Sequence, residues 1–103
     1  MEGLRVRVFL TIKDTKKLAV YRIVVPAHLR VPQSYHKVAE EIIVFLKGRG
    51  VALINETRRP VRAGDCLWIR PGTHHGFETK SSSLTLLAIL APHVNARRDF
   101  YYV

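Results

Sequence analysis

Turn-forming residues cut this chain into lengths that suit strands rather than helices. Pro26, Pro32, Gly48, Gly50, Pro60, Gly64, Pro71, Gly72 and Pro92 recur along it, and the segments between them are short. Residues 4–12 alternate, with Val6, Val8 and Leu10 on one side and Arg5, Arg7 and Phe9 on the other, which reads as a strand. Residues 13–17 form a polar turn, and residues 18–25 a second strand that Pro26 stops. Residues 27–34, with Pro32, read as irregular. Residues 42–46 form a strand, 47–50 a glycine hairpin and 51–54 its returning arm. Residues 56–65 read as a turn-rich link, 66–69 and 75–78 as short strands, 80–83 as a polar loop and 84–91 as the longest apolar strand. No stretch makes a convincing helix. The expectation is an all-β sandwich or barrel formed as one domain over residues 1–103.

Charge and composition narrow the function classes. Seventeen Lys and Arg against eight Asp and Glu give a formal charge of +9. The basic residues are spread along the chain, and no zinc-finger, helix-turn-helix or RNA-binding signature accompanies them, which argues against nucleic-acid binding. A basic RNA-associated protein is therefore the third reading, on charge alone. An anionic small molecule is as good a reason for the arginine excess. No apolar run is long enough to span a bilayer, and the amino end alternates instead of forming the apolar block of a signal peptide. The single cysteine, Cys66, leaves no internal disulfide, which fits a cytoplasmic location. Gln33, Asn55 and Asn95 are the only amide side chains, a composition that leans toward a thermophile.

Chemistry concentrates between residues 34 and 79. Glu41 shares a strand face with Ile43 and Phe45, so its carboxylate points at a core. A carboxylate in such a place needs a cation, a proton or a set of hydrogen bonds. His75 shares a face with Phe77 and Thr79. Imidazole and carboxylate together suit Fe, Mn, Ni, Co, Cu or Zn. His74 points opposite to His75 and reads as a surface residue. Cys66, Trp68 and Arg70 share a face that can look into a pocket, and Tyr35 can form its rim. Asp65 reads as the turn residue of Gly64-Asp65.

Residues 34–50 resemble the first motif of the cupin superfamily: His-x-His, three or four residues, Glu, six residues, Gly. Residues 64–79 look like the second: Gly, five residues, Pro-x-Gly, two residues, His, three residues, Asn. The 15 residues between Gly48 and Gly64 match the short spacing of small microbial cupins. This sequence carries Ser34 where the first motif histidine stands, Arg70 for the first proline and Thr79 for the closing asparagine. The resemblance implies a double-stranded β-helix, a small jelly roll, with one divalent transition metal inside. Its ligands carry over to His36, Glu41 and His75, with Ser34, Tyr35, Cys66, Trp68, Arg70, Phe77 and Thr79 as possible pocket residues. His28 is a further candidate for the missing ligand.

Two histidines and a carboxylate make a facial set with open positions for water or substrate. The expected function is metal-dependent chemistry on a small polar or anionic molecule, of dioxygenase, isomerase or decarboxylase type. The alternative is a non-enzymatic ligand-binding or sensor cupin whose metal is lost or weakened. Two strands, 42–46 and 84–91, are apolar on both faces, which predicts a homodimer disrupted by a charge at Val44 or Leu86.

Overall fold

The computed structural model describes residues 3–10, 17–92 and 99–103. The expected strand residues 11 and 12, most of the turn at 13–17 and residues 93–98 of the tail lie outside the described residues. Among the described residues nine strands form: β1 (Arg5–Leu10), β2 (Ala19–Val25), β3 (Arg30–Tyr35), β4 (Glu40–Ile54), β5 (Thr57–Arg62), β6 (Cys66–Ile69), β7 (His75–Glu78), β8 (Leu84–Ala91) and β9 (Tyr101–Tyr102). No helix forms among the described residues, so none there is long and apolar enough to cross a membrane.

All pairings are antiparallel, and β4 organises them. Its first half, Glu40 to Gly48, lies between β8 and β6 in a sheet of order β1-β2-β8-β4-β6. Its second half, Arg49 to Ile54, lies between β7 and β5 in a sheet of order β9-β3-β7-β4-β5. One strand thus passes from one sheet of a jelly roll to the other. The inner faces meet in a core where Phe45, Ile43, Leu84, Leu86 and Val25 are fully buried. Phe45 and Phe77 meet edge to face across the two sheets, with ring centroids 6.0 Å apart, the favoured arrangement of aromatic quadrupoles.

The glycine hairpin expected at 47–50 does not form. The chain bends there without reversing, because Gly48 at φ +82° lets β4 turn the corner between sheets. A Cβ at Gly48 would lie 1.9 Å from the Ser83 carbonyl oxygen, so the bend is also a close backbone approach. The reversal comes later, at Asn55 (φ +53°), and residues 57–62 of the expected link are strand β5. Pro60 is tolerated because β5 is the edge of its sheet, where one side of the strand needs no donor. The segment expected to be irregular contains β3, whose register against β7 shifts between Val31 and Ser34, around Pro32.

Strand β8 is apolar on both sides, but the two faces meet different surroundings. Leu84, Leu86, Ala88 and Leu90 are buried in the core, so a charge at Leu86 would test folding and not assembly. Leu87 and Ile89 lie on the outer face, half-buried.

The Gly48 bend gives a direct test. Gly48→Ala should destabilise the protein by about 3 kcal/mol or more, since it meets both the positive φ and the Ser83 carbonyl. Gly72→Ala, also at φ +82° but facing open space, should cost only about 1 kcal/mol. Urea denaturation of both variants measures the difference.

Candidate metal centre

Glu41 sits on the inner face of β4, opposite Leu90 of β8 and Ile69 of β6. Its side chain is nearly inaccessible, and two imidazoles approach it from the other sheet. His36, just after β3, places Nε2 3.3 Å from Glu41 Oε1, and His75, opening β7, places Nε2 3.2 Å from the same oxygen. The three ligand atoms lie within 4.8 Å of one another, all on buried side chains.

The second nitrogen of each ring decides what the first can do. His36 Nδ1 lies 2.5 Å from the Asp99 carbonyl oxygen, and His75 Nδ1 lies 3.0 Å from that of Thr73. A carbonyl oxygen only accepts, so each Nδ1 carries a hydrogen and donates it. In the neutral rings Nε2 then presents a lone pair toward Glu41 Oε1, itself an acceptor. Three electron pairs converging in a buried place are stable only around a proton or a metal cation. Ser34 opposes His75 in register, is buried, and lines the cavity beside it. Its hydroxyl has no hydrogen-bond partner among the described residues. The donor set and this buried hydroxyl both fit a bound ion with a polar ligand beside it.

Electrostatics follow from the same contacts. Burial pushes the Glu41 carboxyl up, but hydrogen bonds and charge from His36 and His75 outweigh it and bring it down to about 2. Burial pushes His36 toward its neutral form, yet the bond to Glu41, the Asp99 carbonyl and the two carboxylates together raise it above 6.5. To become a ligand, His36 must present an unprotonated Nε2, so metal binding competes with the proton that these contacts favour.

Asp99 holds His36 in place, and no sequence pattern pointed to it. Beyond its carbonyl bond to the ring, its carboxylate accepts from Lys37 N at 2.7 Å, Ala39 N at 2.9 Å and Val38 N at 3.2 Å. Burial opposes the charge on Asp99, but these three backbone donors outweigh it and hold the carboxyl below its ordinary value. Phe100 follows with its ring centroid 5.8 Å from that of His36, and β9 then pairs with β3 at Ser34 and Tyr35. Residues 99–103 thus orient one histidine and wall the site.

The trio borders a cavity of about 320 Å³ that opens toward β1 and the residues after Asp99. Ser34 and Phe77 line it. Cys66, Trp68 and Arg70 do not: they point outward, because on β6 it is Leu67 and Ile69 that face the core. Trp68 instead donates through Nε1 to Glu40 Oε1 at 2.9 Å, with the Arg70 guanidinium over its ring. Thr79 is buried away from the cavity, its hydroxyl donating to the Pro26 carbonyl and accepting from Leu29 N. Tyr35 packs outside against Tyr101 and His74. His28 is exposed in a turn whose N–H donates to the Lys80 carbonyl, far from the missing ligand position. Asp65 accepts from Arg62 N, as a turn residue does.

The chain belongs to the cupin domain family, whose model matches residues 21–90. No curated protein matches it by sequence. Among solved structures it is similar to a double-stranded β-helix protein from Klebsiella pneumoniae, with TM-score 0.86 and 18% identity over 99% of this chain and 85% of that one. It is similar to Streptomyces PAC13 with uridine, at TM-score 0.82 and 21% identity over 98% of this chain and 78% of that one. Pac13 is described as a nucleoside dehydratase. The polyketide cyclase RemF from Streptomyces resistomycificus superposes at TM-score 0.85 with 18% identity, covering 99% of this chain and 72% of that one. At these identities the likeness is one of fold.

The linked titrations predict a narrow pH optimum for the metal-free protein. His36, raised above its ordinary 6.5, contributes stability that is full below 6.5 and lost as pH rises through its folded value. Glu41, lowered to about 2, contributes stability that is full above 4.5 and lost as pH falls toward 2. Chelator-treated protein should therefore melt highest between about pH 5 and 6 and lower at pH 8. Calorimetric scans across that range measure it; a Tm that rises from pH 6 to 8 contradicts the assignment.

Proposed function

We propose that this protein is a small metal-binding cupin that holds one divalent transition ion on His36, Glu41 and His75 and carries out metal-dependent chemistry on a small molecule in the adjoining cavity. The observation that carries this reading is the convergence of two imidazole Nε2 atoms on one carboxylate oxygen, with both Nδ1 atoms already committed to backbone carbonyls. The donor set of two nitrogens and one oxygen suits Fe, Mn, Ni, Co, Cu or Zn. Such an ion, when bound, would polarise a ligand oxygen as a Lewis acid. The chain's own groups supply the remainder. Glu41 offsets part of the ion's charge, Thr73 and Asp99 fix the two imidazoles, and Ser34 offers one hydrogen bond to the ligand. The apolar walls keep water from the site.

The buried trio favours the metal reading over a ligand-binding cupin that has lost its ion. Elemental analysis of protein purified without chelator or added metal should give close to one transition ion per chain. His75→Ala should lower that occupancy at least tenfold, whereas His74→Ala, on the outer side of Tyr35, should leave it unchanged. A protein that takes up no metal under any loading condition belongs to the ligand-binding class instead.

We also propose a two-fold homodimer through the outer face of β2, β8 and β4. Val20, Val24, Ile42, Val44, Leu87 and Ile89 form a half-buried, largely apolar surface there, interrupted by Arg22 opposite Leu87, with Trp68 57% exposed at its edge. A self-complementary patch is the usual way to cover such a face. Val44→Arg should convert a dimer mass in light scattering to a monomer mass with the fold intact by circular dichroism. A wild-type monomer at all micromolar concentrations rules the assembly out.

A further inference from the structure

The cavity beside the trio has a one-sided chemistry. Among the described residues seventeen line it, and only six of these carry a polar side chain: Tyr21, Ser34, His36, Glu41, His75 and Tyr102. Among the described residues, no lysine or arginine lines it. The described arginines lie elsewhere; Arg49, Arg58, Arg59 and Arg62, for example, are exposed on β4 and β5. Phe77 and Phe100 supply aromatic walls, and Ile23, Val31, Leu86 and Leu90 much of the remainder. The basic composition points to a polar or anionic molecule, whereas the described lining is mostly apolar.

From this lining, and resting on the metal reading of the same site, we infer that the ligand is a flat, mostly apolar molecule of one or two fused rings, bearing a pair of adjacent oxygens and at most one negative charge. The size follows from a volume of about 320 Å³, at the small end of ligand pockets. The oxygens follow from the placement of the donors, since the trio and Ser34 sit together while the other walls offer aliphatic carbon, rings and two phenols. The charge follows from a count. A divalent ion with the Glu41 carboxylate carries a net single positive charge, which one phenolate or enolate cancels. A dicarboxylate or phosphate would leave excess negative charge among leucines and phenylalanines, with no lysine or arginine among the described lining residues to meet it.

The test is titration calorimetry on the full chain loaded with zinc, using catechol, 2,3-dihydroxynaphthalene and oxalate as probes, with 2-naphthol titrated into the metal-free chain. The second ring should tighten binding about tenfold over catechol, as expected for burial of that much apolar surface. Oxalate should bind at least tenfold more weakly than 2,3-dihydroxynaphthalene, and 2-naphthol should bind without metal. Val6, 54% exposed at the cavity mouth, gives a variant that spares the fold. Val6→Lys should narrow the gap between 2,3-dihydroxynaphthalene and oxalate at least fivefold. Equal binding of the two aromatic probes, tightest binding of oxalate, or a gap untouched by Val6→Lys overturns the inference. Zinc uptake without binding of either naphthalene probe overturns the ligand class and leaves the metal site standing. Binding of 2-naphthol without any zinc uptake removes the metal reading and keeps the apolar ligand.

Discussion

A carboxylate facing the core is the constraint from which the rest of this structure follows. Glu41 takes an inner position on β4 that a leucine or isoleucine would fill in an ordinary jelly roll, opposite Leu90 and Ile69. Left alone there, it would be protonated or would weaken the fold by several kcal/mol, roughly. Two imidazoles answer it, and each needs its own anchor to keep Nε2 aimed inward. His75 uses the Thr73 carbonyl within its own turn. His36 uses a residue 63 positions later, and the carboxylate of that same residue ties down the loop that carries His36. The turn before β7, the loop after β3 and the residues leading into β9 therefore all serve one buried charge.

The local patterns made much of this legible. Within the described residues, the alternation gave β1 over Arg5–Leu10, and the β-branched and apolar runs gave β2 and β8, because period-2 burial is a property of neighbours in sequence. His36, Glu41 and His75 were placed together by motif spacing, and the fold does bring them to one point. The misreadings have physical causes. Gly48 and Gly50 look like a hairpin, but a glycine at positive φ serves a bend as well as a reversal, and only the partner strands distinguish them. Pro60 and Pro32 look like breaks, although a proline is compatible with an edge strand or a shift in register. The face of β6 was inverted because Cys66 and Trp68 are the residues that usually turn inward, whereas Leu67 and Ile69 won that face in pairing with β4. Asp99 carried no signal at all: an aspartate in a tail is unremarkable until the fold brings three backbone N–H groups to it.

The chain is basic in composition, whereas the lining of the cavity is mostly apolar among the described residues. Net charge is summed over a whole surface, and in a jelly roll most of that surface points outward from both sheets. The arginines of β5 face solvent, where the Arg58–Glu78 pair at 3.1 Å is exposed and contributes little. What a ligand meets is the inner faces, and these were selected as core.

The passage of β4 between the sheets has a mechanical side. Glu41 belongs to the half of β4 in one sheet, whereas His75 and the loop after β3 belong to the other. An ion held among them would be a rivet through both layers, in a chain whose single cysteine, Cys66, leaves it no internal disulfide. The sheets are hinged along one edge by the continuous backbone at Gly48 and would be clasped near the other end by the ion. Prising them apart would then require either breaking coordination bonds or tearing β4 from its neighbours, so loading the site would stiffen the barrel as a whole rather than only the residues that touch the metal.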